Sequence, residues 1–116
     1  MSKSNEALWW SLFSAGGVLA ALAVPALVLS TGFLLATNDA SVAAERYAQL
    51  QSILGWSIVR LILFVVISLS FFHCAHRIRH TLIDLGVRGV SLLMMIICYG
   101  GALAGAIAAA VILVEL

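Results

Sequence analysis

The sequence predicts an all-α membrane protein, three transmembrane helices in a single domain over residues 1–116. Three observations predict it. Hydrophobic residues make up 64% of the 116-residue chain and charged residues 9%, whereas soluble domains carry about a quarter charged residues. Mean hydropathy is +1.17. Asp, Glu, Lys and Arg are absent from Ala7 to Asn38, from Leu61 to His76 and from Gly89 to Val114. So apolar a chain is neither a soluble monomer nor disordered, since disorder needs low hydrophobicity and high charge. A net charge of +1 speaks against nucleic acid, which needs a concentrated basic patch.

The first span, roughly 8–36, is long enough to cross a hydrocarbon core of about 30 Å. It is not a cleaved signal sequence: Lys3 is balanced by Glu6, and the apolar run is about twice the usual length of such a core. Gly17, Ala21 and Pro25 recur at intervals of four and form a narrow, smooth face. Pro25 lacks an N–H and clashes with the preceding turn, which predicts a kink near mid-membrane.

The second span, roughly 53–80, has an uncharged centre of only 16 residues, about 24 Å at ~1.5 Å per residue. Its ends must therefore help. Arg60 and Arg77 flank the centre, and long cationic side chains can snorkel towards the headgroups. The third span, roughly 89–114, contains Gly101-Ala102-Leu103-Ala104-Gly105 with Gly100 adjacent. Small residues let helix backbones approach closely in lipid, so this face suits helix packing; GxxxG also arises by chance in Gly/Ala-rich spans. Cys74 and Cys98 fall in or at the edge of spans and read as small packing residues, neither a disulfide framework nor a metal site.

Cytoplasmic loops are enriched in Lys and Arg. Arg77, Arg79 and Arg88 lie at the end of the second span and in the connection that follows it, against Arg46 with Asp39 and Glu45 after the first. The 77–89 loop and the N-terminus are thus expected in the cytoplasm, and Leu116 on the far side.

The chemistry concentrates at the end of the second span. With His73 at zero on a helix, Arg77 lies near about +40°, Asp84 near +20°, His80 near −20° and His76 near −60°. Arg79 points elsewhere. This polar stripe runs from the hydrocarbon edge into water, where ionisable groups face a partner, a cavity or a ligand path. A basic cuff on anionic headgroups is one reading. Haem ligation is another, although all three histidines sit on one helix. No Cys or carboxylate evidently completes a zinc tetrahedron. A quinone at the membrane edge also fits, since its ring and tail want hydrocarbon and its oxygens want donors. A small proton-coupled transporter would need a mid-membrane carboxylate, and spans one and three contain none.

Leu8-Trp9-Trp10-Ser11-Leu12-Phe13-Ser14-Ala15-Gly16-Gly17, followed by Pro25, resembles the first span of the fumarate reductase D-subunit family. His76-Arg77, with His80 and Asp84 on following turns and Arg60 before them, resembles that family's second signature. The resemblance covers essentially the whole chain; the third span matches only in character, and His73 and the Trp9-Trp10 doublet belong to no assigned family feature. It implies a membrane anchor in the bacterial inner membrane, paired with a second membrane anchor and carrying a flavoprotein and an iron–sulfur subunit on the cytoplasmic face. It also implies a shared menaquinone site, to which Trp10 and Arg77 contribute, with flavin and iron–sulfur clusters confined to partner subunits and no haem. A haem b-binding anchor of a succinate:quinone oxidoreductase is the alternative. His76 and His80 are further candidate quinone-binding residues, expected in structural hydrogen-bonding or helix-end cation roles rather than in direct proton transfer. Trp9 lies about 100° from Trp10, so one indole is expected to face the pocket.

Overall fold

The computed structural model describes residues 5–34, 36–87 and 89–116; Lys3 and Arg88 of the topology argument lie outside the described residues. Helix α1 runs over Glu6–Leu29 and continues as a π-helical turn over Ser30–Leu34. Helix α2 covers Ala40–Leu54, α3 Ser57–Asp84 and α4 Ser91–Glu115. Three helical stretches are long and apolar enough to cross a membrane: Glu6–Phe33, Ser57–Asp84 and Ser91–Glu115. No strand is present among the described residues.

Helix α3 overcomes its short uncharged centre by continuing through its arginines. Its 28 residues extend about 42 Å at ~1.5 Å each, so Arg60, Arg77 and Arg79 ride on helical turns near the two interfaces. The segment between the first two spans, which the charge pattern marks only as a connection, is itself helical. Its Ala, Glu, Gln, Arg and Leu residues are strong helix formers, and Asp39 caps it: Oδ1 accepts from Ser41 N (2.9 Å), Ser41 Oγ (2.6 Å) and Val42 N (3.4 Å). Arg60 Nε donates to the Leu54 carbonyl and ties the end of α2 to the start of α3.

Helix α1 stays α-helical through Pro25; the departure from α geometry comes at Ser30–Leu34. There Ser30 Oγ (3.0 Å) and Thr31 Oγ1 (2.7 Å) both donate to the Leu27 carbonyl. Hydroxyls of this kind satisfy backbone groups where a transmembrane helix is irregular.

Helix α3 lies centrally, packed on α1 along one side and α4 along the other. The α1–α3 contact is a backbone approach: a β-carbon on Gly16 would sit 2.7 Å from the Leu69 carbonyl oxygen, and one on Gly17 would meet the His73 ring at 2.6 Å. On α4, Gly105 receives the Phe71 ring, where a β-carbon would find its nearest atom at 3.0 Å. Gly101, the other end of the GxxxG pattern, has nothing within 4 Å, and neither has Gly100. Half of the motif thus serves the internal interface and half stays open. Cys74, predicted as a packing residue, is exposed within this chain, while Cys98 is half-buried; both are free. Buried apolar residues are few: Ala75, Met94, Ala102, Ala106 and Leu113.

These contacts set expectations for stability. Gly16→Ala is expected to lower the stability of the detergent-solubilised chain by about 1–3 kcal/mol, because its neighbour is backbone and cannot rotate away. Gly101→Ala should stay within about 0.5 kcal/mol. Midpoints of unfolding in denaturing detergent will separate the two; equal midpoints would contradict the close approach. At Asp39, the Ser41 hydroxyl and the Ser41 and Val42 amides hold the carboxyl below the ordinary carboxylate range. A lowered folded pKa means a stabilisation fully present above the ordinary value and lost as pH falls through the lowered one. Exchange protection of the Ser41 and Val42 amides should therefore fall on acidification, and Asp39→Asn should retain the cap without that pH dependence.

Candidate functional site

Where the start of α1 meets the arginine-bearing C-terminal part of α3, the helices enclose one side of an aromatic cavity of about 710 Å³. Helix α1 contributes Glu6, Trp9, Trp10, Leu12 and Phe13, α3 contributes Leu69, Phe72, His73 and His76, and α4 contributes Tyr99. The location follows from the packing. With Gly16 and Gly17 pressed against α3, Phe13 and Trp10 lie on successive turns towards the helix start and overhang the histidines.

The rings form a connected set. Phe13 stacks on His73 with centroids 4.4 Å apart and planes at 22°, and lies 4.6 Å from His76. Trp10 meets Phe13 edge-on at 6.0 Å and His76 edge-on at 6.4 Å. His76 and His80 are 4.3 Å apart. Two polar contacts orient the imidazoles: His73 Nδ1 bonds the Phe13 carbonyl oxygen at 2.9 Å, and His76 Nδ1 bonds the Tyr99 hydroxyl at 2.8 Å. A carbonyl only accepts, so His73 Nδ1 carries a proton. The volume lies within the range of pockets that hold a drug-sized ligand, about 300–1,000 Å³, and the mixture of apolar walls with few polar groups is typical of them.

Trp10 and His76, singled out from sequence, line this cavity. His80 is exposed and reaches it through His76. Arg77 is exposed and is not part of the wall. Arg79, expected to point away from the polar stripe, is half-buried, and its buried Nε has no hydrogen-bond partner among the described residues. Both indoles border the cavity, so the expectation of a single facing tryptophan is corrected: the opening is wide enough for Trp9 and Trp10 to flank it from adjacent positions. Sequence reasoning assigns no role to His73 or Tyr99. His73 is legible as the deepest ionisable residue of the stripe; Tyr99 carries no local signal, since its role depends on how α4 packs. Among the described residues no three His, Cys, Asp or Glu side chains cluster as metal ligands.

The family model for the D subunit of fumarate reductase matches residues 1–114. The chain is 35% identical over 111 residues to the fumarate reductase D subunit of Vibrio vulnificus (strain YJ016), covering 92% of this chain and 83% of the relative. It is 35% identical over 105 residues to that of Mycobacterium tuberculosis (strain ATCC 25177 / H37Ra), covering 89% and 82%. It is 34% identical over 85 residues to that of Shewanella sp. (strain W3-18-1), covering 73% and 70%. No solved structure matches significantly. With three membrane-spanning helices and a match over nearly its whole length, the chain belongs to the fumarate reductase D-subunit family, the multi-pass membrane anchors of fumarate reductase.

Proposed function

We propose that this chain anchors the flavoprotein and iron–sulfur subunits of a quinol:fumarate reductase to the bacterial cytoplasmic membrane and forms part of the site where menaquinol is oxidised. The observation that carries the proposal is the aromatic cavity with His73, His76 and Tyr99 at its wall, where the start of α1 meets the arginine-bearing C-terminal part of α3. Menaquinol is a flat, fused aromatic ring with two oxygens and a long apolar tail. Phe13, Trp9 and Trp10 offer faces and edges for the ring, the imidazoles and the phenol offer donors and acceptors, and the lipid receives the tail.

Orientation and partners follow from charge and surface. The arginine-rich face is cytoplasmic by the distribution of cations, which sets the N-terminus and the 77–89 loop on that side. The iron–sulfur partner binds there and takes the electrons. Helix α4 keeps Gly100, Gly101 and Ala104 exposed, a smooth stripe suited to a helix of the second membrane anchor. Arg77, exposed in the isolated chain, is covered by the partner subunits at the cavity mouth, where it donates to a quinone oxygen.

Arg77→Leu should leave the complex assembled and slow menaquinol oxidation about tenfold to a hundredfold, the loss of one desolvated charge-assisted hydrogen bond of about 1.5–3 kcal/mol. Arg77→Lys should recover only part of the rate, because an ammonium lacks the planar fork. Fumarate reduction by an artificial donor that feeds the flavin directly should be unchanged. Menaquinol oxidation at the unmodified rate by assembled Arg77→Leu would make Arg77 a headgroup anchor. Site location is testable separately by fluorescence of a Trp56→Phe variant of the complex. A bound naphthoquinone should quench the emission that Trp9 and Trp10 contribute, and Trp9→Phe/Trp10→Phe in that background should abolish the change.

A further inference from the structure

A second cavity, of about 400 Å³, opens between the start of α3 and the end of α4. Leu61 and Phe64 wall it on one side, Ala110, Leu113 and Val114 on the other. Its polar lining residues are Ser57 and Arg60, both in the first turn of α3. The shape follows from the packing. Where the Phe71 ring rests on Gly105, the two helices are in close contact. From Phe71 out to Phe64 the rise is about 10 Å at ~1.5 Å per residue, and beyond that level the helices leave a groove between them. Trp56 and Tyr47, both exposed, set the start of α3 at the level where amphipathic rings sit in a bilayer. The groove thus runs from the membrane surface into the hydrocarbon.

Arg60 is half-buried and tethered. Its Nε–H donates to the Leu54 carbonyl at the end of α2, which holds the guanidinium at the membrane edge. The Nη–H groups have no hydrogen-bond or ion-pair partner among the described residues. A guanidinium keeps its charge at any working pH, and beside hydrocarbon it needs an acceptor. Two oxygens of a phosphate match its planar fork. We infer that a phospholipid is bound in this groove, its phosphate on Arg60 and Ser57 and one acyl chain between α3 and α4 along Leu61, Phe64 and Leu113. Such a lipid is more than a headgroup met by a snorkelling side chain, because the walls hold its chain and join α4 to α3 where their direct contact ends. A quinone suits the groove less: its two oxygens lie on opposite sides of the ring, whereas the polar groups here share one turn of one helix. The groove is independent of the quinol-site reading, since Arg60 precedes His73 by 13 residues, about 20 Å along α3. Glu115, next to Val114, is exposed and is not part of the wall.

The test uses the assembled complex, purified in detergent, stripped of lipid and titrated with dioleoylphosphatidylglycerol while native mass spectrometry counts the lipid bound. The unmodified complex should bind a phospholipid that Arg60→Gln binds about tenfold to a hundredfold more weakly, the effect of losing a charge-assisted hydrogen bond. Arg60→Lys should keep part of that affinity. Ala110→Phe leaves Arg60 in place and fills the groove, so it should expel the same lipid. Glycerol phosphate, which has the phosphate but no chain, should not compete. Menaquinol oxidation by Arg60→Gln should stay at the unmodified rate, as expected of a groove remote from the aromatic cavity. Equal lipid affinity in the unmodified, Arg60→Gln and Ala110→Phe complexes would overturn the inference. Displacement of the lipid by glycerol phosphate would overturn it in favour of a plain anion site, and displacement by a naphthoquinone in favour of a second quinone. An unmodified complex that binds no such lipid would assign the groove to a partner helix. If Arg60→Gln does not assemble, Ala110→Phe decides alone, and undiminished lipid binding there overturns the inference.

Discussion

Helices in a bilayer gain nothing by hiding apolar surface from lipid, so their association depends on how closely their backbones can approach. Such an approach brings Gly16 of α1 over the Leu69 carbonyl of α3, and the site is arranged around it. Gly17 beside it accepts the edge of the His73 ring. Phe13, one turn earlier, reaches His73 and His76, and Trp10, a further turn on, reaches His76. A β-carbon at either glycine would push α1 outward and move the aromatic walls it carries away from the imidazoles. Two missing side chains thus set the spacing of the ring cluster.

The same packing explains why the chain looks unfinished alone. With α1 and α4 each resting on α3, little of either is enclosed, and leucines, valines and isoleucines on all three spans remain exposed. Lipid tolerates such surface, so exposure of this kind carries no penalty in a membrane. The open stripe at Gly100, Gly101 and Ala104 is different, because small residues give lipid little to pack against and a second helix much to approach. Family membership as one subunit of fumarate reductase accords with a fold whose free faces include both kinds of surface.

The three spans could be read from sequence because charge is so costly in hydrocarbon that its absence marks each crossing. That criterion was silent on α2, whose Asp39, Glu45 and Arg46 mark a connection but whose helicity comes from propensity and an Asp39 cap. The helical arithmetic groups His73, His76 and His80 on one stripe, and in the structure Phe13 meets His73 and His76 while His80 meets His76. It went less far with the arginines: Arg79 is half-buried and Arg77 exposed, because which side of α3 is covered depends on where α1 and α4 settle. Tyr99 and the unequal use of Gly101 and Gly105 were unreadable for the same reason. Periodicity assigns a residue to a face of its own helix; only packing decides what that face meets.

The order of residues along the end of α3 has a physical logic. Guanidinium stays charged at any working pH and must keep water, a headgroup or a partner's acceptor within reach. Imidazole can be neutral, and a single hydrogen bond determines which nitrogen offers a lone pair. His73 accordingly lies deepest, with its Nδ1 proton given to a helix carbonyl; His76 comes next, held by a phenol; Arg77 and His80 are exposed. Exchanging Arg77 with His73 would place a fixed charge against Phe13 and the Gly17 backbone, where nothing could hydrate it, and would leave a titrating group in water with nothing to set its tautomer. The gradient from switchable to permanent charge therefore follows the gradient from hydrocarbon to water.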